Sequence, residues 1–89
     1  MTIDTNKSYA VGKMLFLSVK GHASADINNA ELFTINGVTV NPTDYTFFCG
    51  VGDGWSLTGI GYCYINVNKV VGRVTSGQYF HICVTIPIN

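Results

Sequence analysis

Charged residues are scarce in this chain, at 11% of 89 residues, against about 25% in an ordinary soluble domain. Lys and Arg number five, Asp and Glu five, and the net charge is zero. Binding to a phosphate backbone needs clustered Lys and Arg, so the scattered basic residues argue against nucleic acid as a partner. Helix formers are also few: Glu31 is the one Glu, Gln78 the one Gln, and there are four Ala. No window carries apolar residues at the i, i+3, i+4, i+7 spacing of an amphipathic helix. The longest apolar runs, such as that around Met14, Phe16 and Leu17, are too short to span a bilayer, which excludes membrane insertion. Met1–Thr2–Ile3–Asp4 has neither the positive n-region nor the apolar h-region of a signal peptide.

The three cysteines, Cys49, Cys63 and Cys83, are odd in number and form no CxxC pair. They read as thiols acting as small core hydrophobes in a reducing cytoplasm, with one disulfide plus a free thiol as the alternative. Carboxylates are too scattered for paired acid–base work. Asp53, between Gly52 and Gly54, suits a turn whose backbone it bonds. His81 and Cys83, two apart on an expected strand, project from one face. They supply two ligands where a structural zinc needs four, so they read as buried packing residues, and no metal or cofactor site is expected. The G-x-G-x-G of Gly50–Gly54 is not followed by the Lys and Ser/Thr of a phosphate loop. These absences point away from an enzyme.

What the chain has is apolar and β-forming. Hydrophobic residues reach 47% and glycines number ten. Short β-rich segments punctuated by glycine point to an all-β fold, a small β-sandwich or barrel-like domain of about seven or eight antiparallel strands. Residues 1–7 read as a polar arm and 8–89 as one β domain. Met14–Lys20 forms a strand with Leu15, Leu17 and Val19 on one face. Gly21–Ala30 reads as a polar loop. Asn36-Gly37, between Leu32–Ile35 and Val38–Val40, is a strong hairpin signal. Asn41-Pro42-Thr43-Asp44 is a second turn, Tyr45–Cys49 a strand and Gly50–Gly54 a glycine loop. Within Trp55–Val67, Ile60, Tyr62 and Tyr64 point one way and Gly61, Cys63 and Ile65 the other. A turn at Asn66–Asn68 leads to a strand at Lys69–Val74. Gln78–Ile86 is the longest clean strand, with Phe80, Ile82, Val84 and Ile86 on one face and Pro87 ending it.

Between Gly54 and Asn89 the only charges are Lys69 and Arg73. Apolar strands with so little ionic cover imply a subunit interface or a core, and Tyr62, Tyr64, Phe80, Ile82 and Val84 are the candidates for it. A chain this short buries only about 60–65% of its surface on folding, which also favours a homo-oligomer. For recognition, the aromatic Trp55 stands beside Asp53, and His22, Asn28 and Asn29 lie in the polar segment. Aromatic faces beside Asp and Asn groups suit a saccharide or a protein surface. Trp55 as a core or interface anchor is the alternative.

The opening Ser8-Tyr9-Ala10-Val11-Gly12, the following strand, Gly37-Val38-Thr39-Val40, Gly54-Trp55, Gly61-Tyr62-Cys63-Tyr64 and the apolar Tyr79–Ile88 resemble the C-terminal tip domains of bacteriophage and prophage tail fibres. The His-x-His iron sites of some fibre shafts have no counterpart here. The resemblance implies a homotrimeric, virion-located module, made in the host cytoplasm, that attaches to a host-surface glycan or outer-membrane protein. Its contact surfaces would be loops such as Gly21–Ala30 and Gly50–Trp55. Two other roles stay open: a structural virion component of the decoration or baseplate type, and a small intracellular inhibitor of a host enzyme. The charge deficit predicts self-association in solution, and the resemblance implies that the oligomer is a trimer. Light scattering checks this, and a 9.6 kDa species persisting at high concentration is the contrary result.

Overall fold

The computed structural model describes residues 1–41, 44–56 and 58–89. The described residues form eight antiparallel strands in one curled sheet, a half-barrel. They are β1 (Thr2–Asn6), β2 (Tyr9–Val11), β3 (Met14–His22), β4 (Ile27–Thr34), β5 (Asp44–Asp53), β6 (Gly59–Asn66), β7 (Lys69–Val74) and β8 (Gln78–Pro87). The order across the sheet is β1-β3-β8-β5-β6-β7-β4, and β2 pairs with β3 beside β1. The all-β architecture expected from the glycine-punctuated segments is the one observed.

Strand alternation sets the core. Side chains of a strand point to opposite faces in turn, and here Leu15, Leu17 and Val19 of β3 meet Phe80, Ile82 and Ile86 of β8 on the concave side. Phe47, Cys49, Cys63, Ile65, Val70 and Val74 continue it through β5, β6 and β7. Among the described residues no polar or charged side chain is buried. Phe80 and Ile82 are fully buried and Val84 is partly so, which places these three in or against the core.

Glycines let the sheet curl around that core. A Cβ at Gly21 would lie 2.5 Å from the Thr2 carbonyl oxygen and 2.9 Å from the Phe80 ring. At Gly72 it would lie 2.9 Å from the Cys63 sulfur and 3.1 Å from a Leu32 methyl. Register shifts in β1 and β4 add local bends, as bulges do by inserting an extra residue in one strand. One of them carries Asn29 at φ 55°.

Several local expectations give way to long-range pairing. Thr2–Asn6, within the expected arm, is a strand on β3. Its side chains are mostly exposed because it is an edge strand, so no apolar alternation marked it. The expected loop Gly21–Ala30 shrinks to residues 23–26, since β3 runs on to His22 and β4 starts at Ile27. The glycine loop 50–54 is mostly strand: Gly50–Asp53 pairs with β8. Of the turn at residues 41–44, Pro42 and Thr43 lie outside the described residues.

The Asn36-Gly37 hairpin does not form. Gly37 does take a positive φ of 88°, but Val38–Val40 turns away from β4, and Val40 bridges to Ile88. The cause is Asn68. Its side-chain amide donates to the carbonyls of Ile35 (2.8 Å) and Val38 (2.6 Å), and its Oδ1 accepts from the Val40 amide at 3.2 Å. The Ile35 amide in turn donates to the Asn68 carbonyl at 2.7 Å. A side chain from the β6–β7 turn thus satisfies backbone groups that a hairpin ladder would have used.

That turn joins Asn66 to its cross-strand partner Lys69 through Val67 and Asn68. Val67 has φ 61°, a left-handed conformation in which a β-branched residue is strained. The two turn residues therefore predict opposite effects. Asn68→Ala should lower unfolding stability by about 2–3 kcal/mol through lost bonds and stranded carbonyls. Val67→Asn should raise it by up to about 1 kcal/mol by relieving the backbone. Urea denaturation of both variants measures the two shifts.

Candidate functional site: a groove where the sheet splits

The β6–β7 ladder runs from Asn66–Lys69 to Cys63–Gly72 and stops. Beyond it, Gly59–Tyr62 stays with β5 while Arg73 and Val74 stay with β4. The two strands part, and an open groove of about 470 Å³ lies between them. That volume falls within the roughly 300–1,000 Å³ of small-molecule sites.

One wall is aromatic. Ile60, Tyr62 and Tyr64 face outward on β6, and Tyr62 and Tyr64 line the groove. The opposite wall is polar. Asn28 of β4 sits directly across from Arg73 of β7, and Asn29 follows in the bulge at positive φ. A bulge can re-aim a side chain, and here two consecutive amides line the same groove. Thr75 and Gln78 close one end.

That end is braced from both sides. The Thr75 amide donates to Gln78 Oε1 at 3.0 Å, and the Ser76 amide to Asp26 Oδ1 at 2.7 Å. The Gly77 amide donates to the Ala23 carbonyl at 2.9 Å, and the Ala23 amide to the Gln78 carbonyl at 3.0 Å. The polar segment before β4 is thereby tied to the β7–β8 turn. Arg73 is exposed, and among the described residues no carboxylate pairs with it. Among the described residues it is the one charged residue in the groove lining.

The remaining expected contact residues lie elsewhere. Trp55 is half exposed and stands edge-on to Tyr79, ring centroids 4.7 Å apart, with Lys20 Nζ 5.8 Å from its ring centre. His22 packs on the other side of Tyr79, centroids 5.0 Å apart, and its Nδ1 lies 2.7 Å from Asp4 Oδ2. This second cluster joins β1, β3 and β8 to the β5–β6 loop. Asp53 pairs with Gln78 at the end of β5 and is exposed. The five residues therefore divide: Asn28 and Asn29 at the groove, His22 and Trp55 around Tyr79, and Asp53 at the end of β5. Arg73 was missed as a site residue because, within a short apolar strand, nothing in the sequence marked it as facing Asn28.

Tyr62 is 63% exposed and so is not core; Tyr64 is half-buried beside it. Tyr62 lies opposite Phe48, which is 76% exposed, with Ile60 at 79% near by. These form an uncharged apolar patch on the outer face of the β5–β6 hairpin.

Cys49 and Cys63 are buried thiols 3.5 Å apart, Cys63 donating to Cys49. That bond, with burial, pushes the Cys63 thiol up, and the same bond lowers Cys49. Cys83, expected in the core, is exposed, because it shares the outer face of β8 with the half-buried His81. Among the described residues no three His, Cys, Asp or Glu side chains gather as metal ligands.

Burial, and then Lys20 across the strand, hold His81 below the usual imidazole value of 6.5. The native state therefore binds a proton less readily than the unfolded chain. The resulting stability is present above about pH 6.5 and is lost as pH falls toward the lowered native value. Urea denaturation between about pH 7.5 and pH 5 should show a smaller loss of stability in His81→Gln than in the unaltered chain.

Against known proteins, the chain matches no family model, no curated protein and no solved structure.

Proposed function

We propose that this chain is a non-catalytic recognition domain that binds saccharides of a host cell surface, in the manner of the fibre tips it resembles in sequence. The observation that carries the reading is the groove between β6 and β7. Its lining sets Tyr62 and Tyr64 opposite Asn28, Asn29 and Arg73. Aromatic side chains stack on the apolar faces of sugar rings, and amides and phenols bond hydroxyls. The parted strands also leave peptide groups of β6 and β7 without their ladder partners, and these are further donors and acceptors for hydroxyls. Among the described residues the lining holds no carboxylate pair and no nucleophile–base couple.

The reading includes self-association. Phe48 and Ile60 project exposed from β5 and β6, and an apolar patch of this kind marks an interface. Sister subunits would cover Phe48 and Ile60 and complete the trimer, leaving the groove side of Tyr62 open to ligand.

The same patch favours a second reading, a structural virion component whose partner is another virion protein. A glycan array with the unaltered chain and Tyr62→Ala separates the two. On the first reading the chain binds saccharides and Tyr62→Ala weakens binding about 10-fold, the equivalent of one lost ring contact. On the second, no saccharide binds, and Phe48→Ser with Ile60→Ser abolishes capture of virion proteins.

A further inference from the structure

The groove's charge distribution narrows the class of ligand. Among the described residues Arg73 is its one ionic lining residue and makes no ion pair. In a chain with one Arg and four Lys, a guanidinium at a groove wall without a carboxylate partner is a distinctive feature. Asn28 stands opposite it in register, within the ~5 Å that separates Cβ atoms of cross-strand pairs. A planar fork of N–H donors and a neighbouring carboxamide together suit an oxyanion held at two oxygens.

Three carboxylates of the surrounding strands and loops form no ion pair with Arg73. Asp26 accepts from the Ser76 amide at 2.7 Å. Asp53 pairs across the ladder with Gln78, outside the groove lining. Glu31 of β4 accepts from the Thr34 hydroxyl at 2.7 Å. Among the described residues the groove's lining thus carries a single charge, the Arg73 guanidinium.

We infer that the groove selects acidic saccharides, holding a carboxylate or sulfate substituent on Arg73 and Asn28 while a neighbouring ring lies on Tyr62. The inference rests on the saccharide-binding reading above. Tyr62 and Tyr64, two positions apart on one face, give a platform on the order of 7 Å long. This suits a ring stacked beside the charged group. Asn29, held at positive φ by the bulge, supplies a second amide along the same wall.

Isothermal titration with four probes tests it: a hyaluronan tetrasaccharide and sialyllactose for carboxylates, a sulfated disaccharide, and lactose as the neutral control. Acidic probes should bind and lactose bind at least 10-fold more weakly. Arg73→Gln should weaken the acidic probes by about 10- to 100-fold, the effect of a lost charge-assisted bond, and leave lactose unchanged. Arg73→Lys, which keeps the charge and loses the fork, should fall between the two. Binding of the acidic probes should also weaken as salt rises. The preferred acidic probe identifies the oxyanion. Equal binding of lactose, or indifference to Arg73→Gln, overturns the inference and leaves saccharide recognition standing. Binding of no probe and no array glycan overturns both.

Discussion

Close approach at inward-facing glycines is the constraint on which the rest of this structure depends. Phe80 of β8 can pack over β3 because Gly21 presents no side chain to its ring or to the Thr2 carbonyl. Cys63 and Leu32 can meet across β7 for the same reason at Gly72. A strand glycine weakens its own ladder but permits close packing and bending. Here the two effects coincide, since the β6–β7 ladder ends at Cys63–Gly72. The curl that closes the core and the split that opens the groove have a shared location.

A second constraint acts on the turns. With little charge and no buried polar side chain among the described residues, the loops must satisfy their backbone groups by other means. Asn68 does this for residues 35–40, and Asp26 and Gln78 do it for the β7–β8 turn. These bonds place Thr75, Gln78 and the start of β4 around the groove, so a few polar side chains with structural roles also shape the candidate binding surface. The groove in turn has a polar wall and an aromatic wall because β4 lies at the edge of the sheet, where its outward residues need not be apolar.

The outer face divides into surfaces of different chemistry. The β5–β6 hairpin carries Phe48, Ile60 and Tyr62 exposed. The β3–β8 side carries the Trp55, Tyr79 and His22 stack with Lys20 and Asp4 around it. Tyr62 belongs both to the apolar patch and to the groove. On the proposed reading self-association and ligand binding would be neighbouring events, a subunit covering Phe48 adjoining the groove's aromatic wall.

Which residues share a face was legible in the sequence. The alternation of Phe80, Ile82, Val84 and Ile86, and of Ile60, Tyr62 and Tyr64 against Gly61, Cys63 and Ile65, is a matter of period two, which the backbone imposes locally. The all-β class followed from the same pattern and from the scarcity of helix formers. Partnership between strands was not legible. Sequential strands are spatial neighbours only about two-thirds of the time, and Asn36-Gly37 lost its hairpin to an asparagine some thirty residues away. Thr2–Asn6 became a strand because β3 had an edge to offer. The groove arises only where two ladders diverge, so the pairing of Arg73 with Asn28, and their place opposite Tyr62, was decided by tertiary structure alone: contacts between distant segments depend on which edges meet, and local propensity carries no record of that.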